Sequence, residues 1–155
     1  MKINLYALRA IYLHEMDRFR RTLTQSVLSP VLTTSLYFIV FGSVIGGYVE
    51  KIDGISYGSY IVPGLLMLTL LTQSISNTSF GIFFPKFNGT IYEILAAPIS
   101  TLEVVLAFVG AGATKTLIVS IIIFITSLFF VDVQVKYPLL MIFLLILVAF
   151  TFALF

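Results

Sequence analysis

The stretch FFPKFNGTIYEILAAPIS, residues 83–100, separates two long apolar runs, and how it folds decides how the rest of the chain is arranged. Its charged residues are Lys86 and Glu93, and Pro85 and Pro98 stand near its ends. Asn88, Gly89 and Thr90 give a turn followed by a cap. A threonine hydroxyl can accept from the free amides of the next helical turn, and Glu93 stands three residues on, as in a capping box. Ile91, Ile94 and Leu95 then share a face, and Pro98 closes the element because its ring cannot continue a helix. The pattern predicts a short capped helix in a water-exposed loop.

Outward from this loop the chain is apolar. Residues 54–85 are uncharged over 32 positions and residues 22–49 over 28, each longer than the roughly 20 apolar residues that cross a bilayer core. Residues 104–131 are interrupted by Lys115 alone, and residues 137–155 are uncharged for 19 positions. Of 155 residues, 59% are hydrophobic and 10% charged, whereas soluble domains carry about a quarter charged residues. The fold class is therefore all-α, a polytopic membrane helix bundle. Its expected parts are a cytoplasmic interfacial amphipathic helix over residues 1–24 and a transmembrane domain over 25–155. Spans are expected near 27–48, 57–84, 104–131 and 137–155, with a cytoplasmic loop at 85–103.

Charge sets the expected orientation. Lys2, Arg9, Arg18, Arg20 and Arg21 precede the first span and Lys86 lies in the second connection, against Lys51 and Lys136 on the other side. The positive-inside rule then puts the N-terminus in the cytoplasm of a multi-pass protein. Tyr48, Tyr57, Tyr60 and Tyr137 fall near the opposite interface, where amphipathic rings settle. No cleavable signal peptide is expected, since the basic region is long and no small-residue cleavage site follows. Leu5, Leu8, Tyr12, Met16, Phe19 and Leu23 recur at helical spacing, the mark of an amphipathic helix lying on the membrane or of a basic flank that orients the first span.

Within the spans, Gly42 and Gly46 make a GxxxG whose alternative is simple bending near the exit. The second span is rich in hydroxyls and amides. Thr69, Thr72, Gln73, Ser76, Asn77 and Ser79 fit in one arc of the helix, with Ser74 and Thr78 outside it. Side-chain amides facing lipid would lack partners, so Gln73 and Asn77 should look toward protein or water. Thr69, Gln73, Ser76 and Asn77 are the candidate lining of a substrate path; the alternative is packing on neighbouring helices. Lys115 costs about 3 kcal/mol at mid-bilayer, so it either snorkels to the cytoplasmic interface or faces the bundle. VDVQVKYP, residues 131–138, is short enough to make the third and fourth spans an antiparallel hairpin.

Several chemistries lack their residues. No cysteine is present, which excludes disulfides and thiolate metal sites. HEMD, residues 14–17, lacks the HExxH spacing and reads as interfacial polarity, and no GxxxxGK[ST] phosphate loop occurs. The spans hold no Asp or Glu of the kind that carries protons or sodium in ion-coupled carriers. An enzyme acting alone, a bound metal and a nucleic-acid partner are not expected.

The order of a basic helix, a span, YGSYIVPGLLMLTLLTQSISNTSFGIFF, a GTIYEILAAPIS loop and a third span ending SLFFVD resembles the membrane subunit, or permease, of type 2 ABC transporters. IVPGLL at residues 61–66 and GTIYEILAAPIS at residues 89–100 carry the resemblance most specifically. It implies a bacterial inner-membrane exporter with six spans per subunit, working as a homodimer in the lipid bilayer with separate ABC-type ATPase subunits. ATP and magnesium would bind the ATPase and no cofactor this chain. The coupling helix that receives the ATPase movement would comprise Lys86, Phe87, Asn88, Gly89, Thr90, Ile91, Tyr92, Glu93, Ile94, Leu95, Ala96, Ala97 and Pro98, with Glu93 in the place of the family's acidic loop residue. Short loops and VPGLL resemble the branch that exports drugs and small amphiphiles. A chain ending in its fourth span is expected to be a fragment of a longer polypeptide. The competing readings are a non-transporting helical scaffold and an oligomeric channel.

Overall fold

Asn4 opens the first helix by accepting from the Ala7 amide, and the chain runs helically over Leu5–Arg21 (α1). The computed structural model describes residues 4–45, 48, 54–131 and 135–155. Thr22 leaves helical geometry (φ −104°, ψ 15°), and a second helix starts at once, Leu23–Tyr37 (α2). Pro30 sits inside α2, where the Thr34 hydroxyl donates to its carbonyl at 2.7 Å. The helix continues with wider π-helical turns over Phe38–Ile45, and Phe38 stacks on Phe130 with ring centroids 6.3 Å apart. Gly46 lies outside the described residues, so the pairing of Gly42 with Gly46 does too.

Four more helices follow: Tyr57–Phe87 (α3), Ile91–Ala96 (α4), Thr101–Phe130 (α5) and Pro138–Leu154 (α6). No strand occurs among the described residues. Ser56 caps α3 by accepting from the Ser59 amide, and α3 runs through Pro85, three residues beyond the sequence-expected span. Leu23–Gly42, α3 and α5 are long and apolar enough to cross a membrane; α6, with 17 residues, is shorter. At 1.5 Å per residue α3 and α5 are each about 45 Å long, so they tilt within, or project beyond, a hydrocarbon layer of roughly 30 Å. Of the four tyrosines expected near the opposite interface, Tyr48, Tyr60 and Tyr137 are exposed and Tyr57 is half-buried.

The bundle is organised around α5, which touches α1, α2, α3 and α6. One apolar cluster joins Phe19, Phe38, Val62, Leu66, Val119 and Ile123. A second joins Leu70, Val109, Ala113, Leu145, Ala149 and Ala153, so α6 returns along α3 and α5. Association of helices in lipid depends on close packing and on hydrogen bonds, because lipid tails are as apolar as leucine. Both devices occur here. The Ser74 hydroxyl donates to the Ala149 carbonyl at 2.7 Å, and Gly112 admits Thr78 so closely that a Cβ at 112 would collide with the Thr78 hydroxyl and lie 3.2 Å from its Cβ.

Lys115 faces the bundle and does not snorkel. It is 3% exposed, and its Nζ lies 2.7 Å from Oε2 of Glu15, itself 2% exposed. Arg18 approaches the same oxygen at 2.8 Å and lies over the Phe80 ring, 5.6 Å from its centroid. Glu15 therefore makes a buried ion pair between α1 and α5, where HEMD had read as interfacial polarity. The apolar stripe is shared: on α1 Phe19 is buried on the bundle, Leu8, Tyr12 and Met16 are half-buried and Leu5 is exposed, while Leu23, also exposed, opens α2. Tyr12 also donates to the Thr114 hydroxyl at 3.1 Å.

Replacing Gly112 with valine should force α3 and α5 apart and destabilise the bundle by about 1–3 kcal/mol, the usual cost of overpacking. Gly64 has open space where its Cβ would stand, so Gly64→Ala should leave stability unchanged or slightly raised. Thermal unfolding in detergent micelles, read on both variants, checks the contrast.

Candidate functional site

The turn at Asn88–Thr90 forms as the sequence predicts, because Gly89 takes φ 79°, a left-handed conformation that costs glycine nothing. α4 follows and ends at Ala96, with Ala97 extended (φ −74°, ψ 149°) ahead of Pro98. The cap differs from expectation. Thr90 makes no side-chain bond to the α4 amides; its hydroxyl instead donates back to the Pro85 carbonyl at 3.3 Å. With φ −65° and ψ −15°, Thr90 is already in helical geometry, which turns its oxygen away from the following amides.

The capping box lies ten residues further on. Ser100 accepts from the Glu103 amide at 3.3 Å, and Glu103 Oε2 accepts from the Ser100 amide at 2.8 Å, which fixes the start of α5. The other carboxylate oxygen, Oε1, accepts from the Asn4 amide at the head of α1. The loop is thus anchored at both ends, by the Gly89 turn and by the Ser100–Glu103 box, while α4 between them has no buried residue. Phe87, Tyr92 and Leu95 are exposed. Lys86 and Glu93 are exposed too and make no ion pair among the described residues. Tyr92, Glu93 and Leu95 on α4, together with Lys86 and Phe87 at the end of α3, make an exposed surface of mixed apolar and charged groups.

The polar arc of α3 occupies a different part of the molecule. Ser74 and Thr78, which the helical arc left out, are the buried pair. Thr72, Ser76 and Ser79 are exposed, and Thr69, Gln73 and Asn77 half-buried. The Thr69 hydroxyl donates to the Leu65 carbonyl at 2.8 Å. Asn77 reaches sideways with its Nδ2 3.4 Å from the Thr116 hydroxyl and 3.5 Å from the Gln73 amide oxygen, both at the long edge of hydrogen bonding. Of the four candidate path residues, Ser76 is thus exposed and Thr69, Gln73 and Asn77 are half-buried, with Asn77 turned toward α5.

Two charged groups escaped the sequence reading although each left a trace. Ser100 and Glu103 spell S-x-x-E directly before an apolar run, the written form of a capping box. Glu15 stands three residues after Tyr12 and four before Phe19, on the apolar stripe of α1, where a carboxylate needs a buried partner.

Long apolar helices packed around α5, with the short helix α4 between α3 and α5 and polar residues along α3, make an all-α helix bundle of the membrane type. Residues 6–155 match the family model described as ABC-2 type transporter, and the chain belongs to that family. Over 129 residues it is 40% identical to the inner membrane transport permease YadH of Escherichia coli K12, covering 83% of this chain and 50% of that protein. The same figures hold for the permease of that name in Shigella flexneri. The chain spans about half the length of the curated relatives it matches. No solved structure matches it.

Loss of the Ser100 cap should cost about 1 kcal/mol, whereas Thr90, which caps nothing, should tolerate alanine with little change. Chemical denaturation of Ser100→Ala and Thr90→Ala in the same detergent is the check, and only the first is expected to unfold earlier.

Proposed function

We propose that the protein is the membrane-spanning subunit of an ATP-driven exporter of the inner membrane and that residues 86–98 are its docking lever for a separate ABC-type ATPase. The observation that carries this reading is the exposed, end-anchored α4 with Tyr92, Glu93 and Leu95 outward, beside the exposed Lys86 and Phe87 at the end of α3, and with Lys86 and Glu93 in no ion pair among the described residues. Family membership supports the pairing with an ATPase, which would hold the ATP and magnesium. ATP binding closes two ATPase subunits, the loop moves as a lever, and α3, joined to it at Asn88, moves with it. Two copies of the full-length subunit enclose a path for a drug-like or amphiphilic substrate, and Thr69, Gln73, Ser76 and Asn77 contribute its polar side. The N-terminus and the loop lie in the cytoplasm.

Co-purification of the full-length membrane protein with a candidate ABC-type ATPase tests the docking. Glu93→Ala is expected to weaken the complex or to uncouple hydrolysis from export while leaving membrane insertion intact; unaltered export by that variant would remove the lever role. A complete lack of ATPase partner would favour a scaffold or channel.

Orientation has its own test, made simple by the absence of native cysteine in this sequence. A membrane-impermeant thiol reagent applied to spheroplasts should label Gly54→Cys and should reach Asn88→Cys only after lysis.

A further inference from the structure

The two buried carboxylates among the described residues, Glu15 and Glu103, both tie α1 to α5. Glu103, on α5, accepts from the Asn4 amide at the head of α1. Glu15, on α1, pairs with Lys115 of α5. Between them Tyr12 donates to Thr114. Residue numbers rise together on both helices, so α1 and α5 run in the same direction. Asn4 and Glu15 are eleven residues apart and Glu103 and Lys115 twelve, which puts the two ties at matched heights about 17 Å apart. Two ties at matched spacing stop the helices from sliding or rotating against each other, which a single tie would not.

The same Glu103 carboxylate closes the capping box that ends the 86–98 loop. A displacement of the loop therefore enters α5 and α1 at one point. At its far end α1 leads into α2 across the single non-helical residue Thr22. From these connections we infer that α1 and α5 move as one body during transport, with Glu15 and Lys115 as positioning residues, so that movement received by the loop reaches the first span through α1 as well as the second span through α3. This rests on the loop being the ATPase lever.

The experiment sets a covalent tie beside the ionic one, in place of the Tyr12–Thr114 hydrogen bond. In the full-length protein, Tyr12→Cys and Thr114→Cys are introduced together and joined with a short bifunctional thiol reagent. The bridged protein, reconstituted with its ATPase, is expected to transport within about twofold of the unbridged protein. Glu15→Gln in the same background should lower transport per ATP hydrolysed about tenfold, and bridging should bring it back to within threefold of the parent.

A bridge that forms and blocks transport, reversibly on reduction, would show that the helices part during the cycle and would overturn the inference. So would full coupling in Glu15→Gln, or a loss that the bridge fails to rescue. Should Glu15→Gln not insert, the bridged protein with Glu15 intact still decides the matter. Failure of the bridge to form in the resting protein overturns the tie itself whatever the ATPase does, whereas efficient bridging in a protein that binds no ATPase overturns the lever reading instead.

Discussion

A lysine in the middle of a thirty-residue apolar helix has to find a negative charge, and in this protein the nearest one comes from a hundred residues earlier in the chain. Desolvating a charge costs several kcal/mol, and removing one partner of a buried pair commonly costs about 3–5 kcal/mol, so Lys115 and Glu15 each fix where the other can be. Their pairing holds α1 against α5. It also dictates the neighbours. Gly81 of α3 has no side chain, and a Cβ there would stand 3.5 Å from Oε2 of Glu15 and 3.8 Å from a guanidinium nitrogen of Arg18. Arg18 spreads over Phe80, so the second cation at the carboxylate is accommodated against an aromatic face.

The remaining contacts of α5 follow from its small residues. Ala107, Ala111, Gly112 and Ala113 are buried, and they let neighbouring backbones come close where a leucine would hold them apart. α3 uses this at Gly112 and α6 near Ala113, where Ala149 and Ala153 complete a seam of alanines. Glycine and alanine supply the proximity, and the Ser74–Ala149 bond and the Lys115–Glu15 pair then select which faces meet.

The loop helix α4 is the exception to this economy of burial, since it keeps no residue inside. Its outer residues are as apolar as much of the bundle, yet they are presented on a six-residue helix held by a glycine turn on one side and a capping box on the other. Such an element holds its shape through its anchors rather than through a core of its own. That property suits the proposed docking role.

The helical class, the extent of the long helices and the short helix between α3 and α5 were legible in the sequence, because charge-free runs longer than a bilayer and Gly–Pro punctuation depend only on local chemistry. Helical spacing set which polar residues of α3 share an arc, but not which are buried: Ser74 and Thr78, outside that arc, are the buried pair. The true position of the capping box was written in Ser100 and Glu103 but masked by the similar Thr90–Glu93 pattern, and only backbone geometry separates the two. What tertiary structure alone decided is which buried charge answers which. Lys115 had two physically sound outcomes, an interface or a partner, and the choice depended on Glu15 arriving from α1. Sequence spacing describes one helix at a time, whereas an ion pair across a hundred residues exists only once the helices have packed.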